Sequence, residues 1–441
     1  MHDTTAHAAA APKSIDIAFD NHGDRLIGLG LVNGLLKVVS LGLYSFWGKT
    51  EVRRRLWSFT RLNGEPLEYT GTGKELFLGF LVVFFAFVLP LMLGGLTVAL
   101  LFPGQKGAIA IYQFAAYALF FFLLGNALYR AQRYRMSRTR WRGIRAGLEG
   151  SPAAYGWAYF WTLVLPFALV AALTGAVAFA GSPSAGGLIG TVGFVAALWA
   201  LPWRSNKLQR MLTNDMRFGD RALSYSGSSK PLYKRYFFAW AGSALLYLAA
   251  LAASAYYAYS TDIVTSLQLY IPPTGQQIAV FAALWIGVLI AAGLITAWYR
   301  ASQMNHFARH THLDSATFKL NASGKSLMWL FFSNWMLAAL GIAGGLALGG
   351  FAAYAAGLLP APPEPGMEPA EPGLLPIITI MVPVMLMTTL TTTFAQFRSA
   401  RYFLSRLKLD GAVNLDAIMQ SQHSGPKRGE GLAQVFDLDA F

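Results

Sequence analysis

Eight stretches of this sequence are long and apolar enough to cross a lipid bilayer, and they limit the fold more than any other feature. A bilayer core about 30 Å thick requires about 20 apolar residues of helix. None of the eight stretches has an Asp, Glu, Lys or Arg at its centre. The pattern predicts an all-α polytopic membrane protein with spans at Leu76–Leu101, Ile109–Tyr129, Tyr155–Ala180, Gly186–Trp203, Tyr236–Tyr259, Ile278–Tyr299, Leu327–Leu359 and Leu374–Phe397.

The composition agrees with a membrane protein and excludes other classes. Only 13% of the residues are charged, whereas soluble domains contain about 25%. The chain has no Cys, so disulfides, thiolate nucleophiles and Cys-ligated metals are excluded. Proline and glycine predict local irregularities: kinks at Pro90 and Pro166, and tilting or breaking of the Gly-rich stretch Leu327–Leu359.

A ninth apolar stretch, Leu26–Trp47, differs from the other eight. Lys37 lies at its centre, and Asn33 and several glycines interrupt it. A charge at the bilayer midplane costs about 3 kcal/mol on insertion scales. Two apolar halves of about ten residues fit a re-entrant or interfacial segment better than a spanning helix. Residues 25–47 are therefore predicted to be re-entrant, with a ninth span as the alternative.

The positions of the basic residues predict the topology. All but four of the 35 Lys and Arg residues lie in five segments, and two predicted spans separate each segment from the next. The positive-inside rule places all five on the cytoplasmic side. We therefore expect a cytoplasmic N-terminal segment at 1–24, a helix-pair domain with basic linkers at 48–397 and a cytoplasmic C-terminal tail at 398–441. The five segments are Gly48–Glu75, Arg130–Pro152, Arg204–Arg235, Arg300–Ser326 and Arg398–Phe441.

One pattern recurs where the predicted helices leave the apolar layer. An aromatic residue, an Arg and a small residue follow one another four times, with Trp47-Gly48-Lys49 as a looser fifth copy. Each linker then contains a turn and a short alternating strand, which indicates an internal repeat of strand, two helices and a basic arm. The exit sequences are Tyr129-Arg130-Ala131, Trp203-Arg204-Ser205, Tyr299-Arg300-Ala301 and Phe397-Arg398-Ser399.

The short strands are predicted to pair with one another. Pro66–Tyr69, Ala222–Tyr225 and Thr317–Leu320 alternate apolar and polar residues, which is typical of half-buried strands. Isolated strands of this length are unstable. We therefore expect them to form a small cytoplasmic sheet beneath the helices.

The stretch from Leu31 to Phe80 carries a family resemblance. It resembles the signature of the YjgN-like bacterial inner-membrane family, and the tail from Gly429 resembles that family's ending. Lys37 departs from the pattern, because an uncharged residue is expected there. The family has no known function, so the resemblance implies a fold and an inner-membrane location but no substrate, cofactor or catalytic residue. The matching positions are Asn33, Leu36, Ser40, Leu41, Gly42, Tyr44, Trp47 and Lys49.

Two groups of residues are candidate sites. Arg130, Arg204, Arg300 and Arg398, here called the exit arginines, could bind anionic lipid head groups or an anionic substrate. Their structural alternative is an aromatic belt with Arg side chains that extend to the interface. Asn33 and Lys37 form a candidate intramembrane polar site, since an ionisable group at membrane depth usually serves a function.

Three other features carry weaker predictions. His306, His310 and His312 lie close in sequence, but a solvated polar face is favoured over a metal site. The run from Thr388 to Thr393 could line a polar pathway or pack against a neighbouring helix. The GTGKE sequence from Gly71 lacks the spacing of a nucleotide-binding loop. No cofactor, metal or nucleic-acid partner is predicted.

Two functions from different classes remain open. The first is a transporter- or channel-like protein for a small or amphiphilic solute, because repeats and broken helices are common in transporters. The second is a non-transporting scaffold that binds anionic lipid or partner proteins through its basic arms. A hydrated cavity that reaches Lys37 or the threonine run favours transport, and a dry bundle favours the scaffold. An enzyme is not expected.

Overall fold

A computed structural model describes residues 13–21, 23–263, 272–359, 373–413 and 418–420. Eight helices in these ranges are long and apolar enough to span a membrane, as predicted. The acidic loop Pro360–Gly373 (all but its last residue) and the tail from Gly429 lie outside the described residues. The spanning helices are α3 Gly73–Leu101, α4 Lys106–Arg138, α5 Pro152–Phe179, α6 Pro183–Asn214, α7 Lys230–Ser260, α8 Gly275–Arg309, α9 Gly324–Ala355 and α10 Leu374–Leu404.

The even-numbered helices continue beyond the predicted spans. The predicted span Ile109–Tyr129 belongs to a helix that ends only at Arg138, and α6 continues past Trp203 to Asn214. The basic arms are therefore helical extensions of the spans. The predicted irregularity at Pro90 appears as a π-helical turn, Phe84–Val88, because proline cannot donate its backbone hydrogen bond. Pro166 lies inside α5, which continues through it.

The segment around Lys37 folds as a helical hairpin. It consists of α1, Asp24–Val39, a turn at residues 40–44, and α2, Ser45–Phe59. The predicted stretch Leu26–Trp47 is thus divided, and Trp47 belongs to the returning helix. A helix of 16 residues extends about 24 Å, less than the thickness of a bilayer core. The strand before α1 pairs with the strand after α2, so both ends of the hairpin lie on one side.

Twelve short strands lie at one end of the helices, here called the strand face. Every pairing among them is antiparallel. The predicted pairing of the linker strands is therefore confirmed. The strands are β1 Lys13–Ile15, β2 Ile17–Phe19, β3 Thr60–Leu62, β4 Glu65–Pro66, β5 Glu68–Tyr69, β6 Thr139–Trp141, β7 Ile144–Leu148, β8 Met216–Phe218, β9 Arg221–Tyr225, β10 Thr311–Leu313, β11 Ala316–Leu320 and β12 Leu407–Val413.

The strands close into a ring. One sheet runs in the order β1-β12-β11-β10-β9-β8-β7-β6-β5, and a second runs β2-β3-β4. Only Asp16 separates β1 from β2, and only Leu67 separates β4 from β5, so the two sheets are joined by the chain at both ends. Each extended segment consequently has a neighbour on either side. Closure removes the unpaired strand edges that promote aggregation.

Tight turns set the register of two hairpins in this ring. Asn63 and Gly64 have φ of 50° and 83°, and Arg142 and Gly143 have φ of 50° and 74°. Two successive residues with positive φ are typical of the type I′ turn, whose twist matches that of paired strands. Arg142 is an unusual residue at such a position.

The inside of the ring is filled with apolar side chains. Leu313, Ala316, Leu409 and Val413 are buried there, and Ile418 packs among them from the C-terminal segment. Met419 holds that segment in place, since its backbone N–H and C=O both bond to Asp220. The ring is therefore a packed core rather than an open pore. Its other members are Ile15, Ile144, Phe218, Leu223 and Phe318.

Five ion pairs join successive segments of the ring. Each connects a basic residue to a carboxylate on the neighbouring segment or turn, and all are partly exposed, so they fix geometry more than they add stability. The hydrogen bond from Arg142 holds the pKa of the Glu65 carboxyl below its usual value. The pairs are Arg61–Asp20, Arg142–Glu65, Arg217–Glu149, Arg221–Asp314 and Lys319–Asp410.

Small residues on two sides of α10 allow close helix packing. On α9, Gly341, Gly345 and Gly349 are buried at intervals of four residues. On α1, Gly30 and Gly34 lie against α10 at the same interval, where an added Cβ would meet Leu390 and Leu386. Such spacing lets helix backbones approach in membranes. Of the two predicted irregularities of the Gly-rich stretch, tilting or breaking, the break does not occur: α9 is continuous and its glycines contact α10.

Candidate functional site

The four exit sequences lie near the strand-face ends of α4, α6, α8 and α10. Their aromatic residues do not form a uniform interfacial belt. Tyr129, Tyr299 and Phe397 are buried, whereas Trp203 is 44% exposed. The Tyr129 hydroxyl donates to the Asp215 carboxylate at 2.8 Å, so it connects α4 to the turn after α6. Tyr129, Tyr299 and Phe397 therefore pack inside the protein instead of facing the interface.

Arg204 is held by an aromatic ring but lacks hydrogen-bond partners. Its guanidinium carbon lies 4.3 Å from the ring centroid of Tyr159 on α5. The Nε and Nη2 atoms are buried and have no hydrogen-bond partner among the described residues. Stacking occupies the flat face of a guanidinium and leaves its in-plane N–H groups free to bind an anion.

Arg300 lies close to Arg204 across the contact between α8 and α6. Its Nη1 donates to the Gln303 side chain at 3.3 Å. Gln303 in turn donates to the Ser205 hydroxyl at 2.6 Å, next to Arg204 in the sequence. The positive charges of the two arginines repel each other. The structure thus brings two of the four predicted arginines together.

The other two exit arginines lie apart. Arg398 donates to the Ser333 hydroxyl on α9 at 2.6 Å. Arg130 is exposed and has no hydrogen-bond or ion-pair partner in the described part of the chain. The four therefore do not form one continuous ring of side chains.

The exit arginines differ from the arginines of the strand ring in their partners. Five of the joints between neighbouring segments of the ring contain an ion pair with Asp or Glu. Within residues 13–21, 23–263, 272–359, 373–413 and 418–420, no exit arginine has a carboxylate within 4.0 Å. Carboxylates of the described residues therefore do not neutralise the four exit arginines.

Asn33 and Lys37 both lie on α1 of the helical hairpin, and Asn33 packs against α2. Asn33 is only 3% exposed, and its side-chain amide lies 3.5 Å from the Gly48 carbonyl, where it links α1 to α2. Lys37 lies one turn further along, in the last turn of α1. Its ammonium group has no partner in the described ranges. Among the residues that the structure describes, no acidic side chain forms an ion pair with Lys37.

Four of the five threonines in the run bind their hydroxyls within their own helix, whereas the fifth, Thr392, is exposed and forms no hydrogen bond among the described residues. Thr388, Thr389, Thr391 and Thr393 each donate to a carbonyl three or four residues earlier in α10. Such bonds satisfy the hydroxyl within its own helix. Thr391 also packs against Gly341, where an added Cβ would lie 2.7 Å from its Oγ1. Helix packing therefore explains this residue.

The three histidines have separate hydrogen-bond partners. His306 bonds to the Ser228 carbonyl, His310 to the His306 carbonyl, and His312 to the Ser226 and Thr317 hydroxyls. Among the described residues no group of three or more His, Cys, Asp or Glu side chains is placed to hold a metal ion.

An apolar groove of about 260 Å³ lies between α1, α9 and α10. Its single polar residue is Thr391, whose hydroxyl is bound to Met387. A groove of this chemistry fits hydrocarbon rather than a hydrophilic solute. It is lined by Leu26, Ile27, Leu337, Leu390, Thr391 and Phe394.

Sequence reasoning found the exit arginines but missed the residues that hold them. Tyr159, Gln303 and Ser333 orient three of the four side chains. Tyr159 and Ser333 belong to neighbouring helices, so no spacing along the chain relates them to the exit sequences. Only Gln303, at i+3 from Arg300, follows a periodicity that could have been recognised.

The fold and the exit sequences define a polytopic membrane protein whose helices end at a closed ring of strands. Near these helix ends lie four arginines that have no carboxylate partner among the described residues. The chain belongs to the family described as "Bacterial protein of unknown function (DUF898)", whose model matches residues 14–435. The predicted membership of a YjgN-like family is thereby confirmed.

Two curated relatives support this assignment. Inner membrane protein YjgN of Salmonella typhimurium (strain LT2) is 27% identical over 157 residues, which cover 36% of each chain. Inner membrane protein YjgN of Escherichia coli O157:H7 is 26% identical over 152 residues, or 34% of this chain and 35% of that protein. The alignments thus span about a third of each relative. No solved structure matches the chain significantly.

Proposed function

We propose that this protein is a non-transporting membrane scaffold that binds anionic phospholipids through its exit arginines. The observation that carries the proposal is the absence of a carboxylate partner at all four of them, in the part of the chain that the structure describes. Arginine binds phosphate strongly because its planar N–H groups match two phosphate oxygens. Lipid phosphates occur at the depth where helices leave the apolar layer.

The described residues lack the features expected of a transport path, which favours a scaffold over a transporter. Four of the five threonine hydroxyls are bound within α10, and the groove beside Thr391 is apolar. The inside of the strand ring is filled by residues such as Leu409 and Ile418. A hydrophilic solute finds no described polar route through these regions, whereas an acyl chain fits the groove.

The proposal includes an internal repeat of helix pair and hairpin. The same hydrogen bond in three of the linkers supports the repeat. In each, a side chain on the helical arm donates to a backbone carbonyl 17 residues later, beyond the hairpin. The three bonds are Arg54 to Gly71, Arg210 to Gly227 and Asn305 to Ala322.

Replacement of the exit arginines by Gln should reduce the binding of anionic lipid. We expect the Arg130→Gln and Arg398→Gln variants each to retain less phosphatidylglycerol after purification, and the fourfold variant to lose at least tenfold, because each removes a charge-assisted hydrogen bond. The measurement is the ratio of phosphatidylglycerol to zwitterionic lipid co-purified from mixed vesicles.

Arg140 provides the matched control for this measurement. It is exposed on β6 of the strand ring, outside the exits. Arg140→Gln should leave the lipid ratio unchanged. If the fourfold variant retains the normal ratio, the proposed function is wrong. Uptake of a polar solute by vesicles containing the protein would instead favour transport.

The proposal places the strand face in the cytoplasm of a bacterial inner membrane, following the positive-inside rule. The absence of native Cys allows a direct test. A Ser184→Cys variant, at the exposed start of α6, should react with an impermeant thiol reagent in intact cells. A Ser224→Cys variant, exposed on β9, should react only after the membrane is opened. The reverse pattern would invert the orientation.

A further inference from the structure

Two hydrogen-bond donors of the Arg204 side chain have no acceptor among the described residues. Buried N–H groups normally have hydrogen-bond partners, and an unpaired buried charge costs several kcal/mol. The Nε and Nη2 atoms of Arg204 are buried without a partner among the described residues. The ring of Tyr159 fixes the plane of the guanidinium from one side. Both donors therefore lie at the edge of a guanidinium that is held on one face and have no hydrogen-bond partner.

Arg300 contributes a second cation to the same place. The chain of hydrogen bonds from Arg300 through Gln303 to Ser205 fixes α8 against α6 beside Arg204. Like charges brought together destabilise the protein unless an anion lies between them. No carboxylate within 4.0 Å serves that purpose in the described ranges. Ser205 and Gln303 add neutral hydrogen-bonding groups to the same contact.

We propose that Arg204 and Arg300 together bind one phosphate group between α6 and α8. The inference rests on the proposed function but is more specific, because it assigns a two-arginine site where Arg130 and Arg398 act singly. Phosphate suits the site since its oxygens accept from two guanidinium groups at once. The group is supplied either by a lipid head group or by a soluble phosphate compound.

The decisive experiment measures phosphate binding by the full-length protein in nanodiscs. In one arm, the nanodiscs contain only zwitterionic lipid, and inorganic phosphate is titrated by calorimetry. In the other, they contain a small fraction of phosphatidylglycerol, and bound lipid is counted by native mass spectrometry. Arg204→Gln and Arg300→Gln should each weaken binding at least tenfold in one arm, and the double variant should be little worse than either, because both residues serve one site.

Arg140→Gln is the matched control, since Arg140 is an exposed arginine on β6, outside the exit sequences. Arg204→Lys keeps the charge and loses the planar fork, so it should also weaken binding and still fold. Loss in the calorimetric arm assigns a soluble phosphate, and loss only in the lipid arm assigns a head group; both support the site.

Different results would contradict the two-arginine site and the proposed lipid-binding function. If the folded Arg204 and Arg300 variants bind phosphate in both arms as Arg140→Gln does, the two-arginine site is wrong and Arg204 serves packing against Tyr159. The proposed function still stands in that case if Arg130 and Arg398 variants lose lipid. If none of the four positions affects lipid binding, both proposals fail.

Discussion

Gly345→Val should destabilise the protein by about 3 kcal/mol, the upper end of the range for overpacked cores. A Cβ at Gly345 would lie 2.5 Å from the Cα of Val384 and 2.8 Å from its backbone N. Both are backbone atoms of α10, so no side-chain rotation can relieve the contact. The helices must separate, and α10 would lose its packing against α9. Unfolding of the purified protein by heat or by increasing SDS measures the change.

Gly344 supplies the control for this substitution. It precedes Gly345 in the same helix, but a Cβ added there would meet nothing within 4 Å. Gly344→Val should therefore change the free energy of unfolding by no more than about 0.5 kcal/mol. Equal effects at the two positions would show that glycine flexibility in α9, rather than close packing, explains the Gly-rich stretch.

Leu409→Asp should open the ring of strands. Leu409 is 4% exposed and lies opposite Ile15 of β1 and Phe318 of β11, at the point where the ends of the described chain meet. An isolated carboxylate in this apolar core should cost about 3–5 kcal/mol, as do other unpaired buried charges. Amide hydrogen exchange should show faster exchange throughout β1 and β12, while the spanning helices stay protected.

The adjacent residue tests whether burial is the cause. Lys408 is exposed on the other face of β12 and lies opposite Lys319. Lys408→Asp replaces a like-charge pair by an opposite pair, so β1 and β12 should exchange as in the native protein. Unchanged exchange in Leu409→Asp would contradict a closed, filled ring.

The membrane architecture was accessible from the sequence because it depends on local properties. Whether a stretch such as Ile109–Tyr129 can span a bilayer depends on its own length and polarity. The exit sequences and the alternating strands are likewise visible residue by residue. The strand Ala222–Tyr225, for example, was predicted within one residue of its observed start.

Closure of the ring was decided only by the tertiary structure. The pairing of β1 with β12 joins residues almost 400 positions apart, and a period of two along each strand does not specify which strand lies beside it. The same holds for the ion pairs that cross five joints of the ring. The roles of Gly345 and Gly30 also depend on a second helix, so the sequence alone suggested a break where the structure has a contact.

The candidate site divides in the same way. The sequence determined that an Arg follows an aromatic residue at four helix exits, because that pattern is contiguous. Only the tertiary structure distinguished them: the Gln303–Ser205 bond brings Arg300 and Arg204 to the same contact of α8 and α6, Arg398 contacts Ser333, and Arg130 remains exposed. The physical reason is that charge pairing depends on distances of a few ångströms between helices, which the order of residues does not contain.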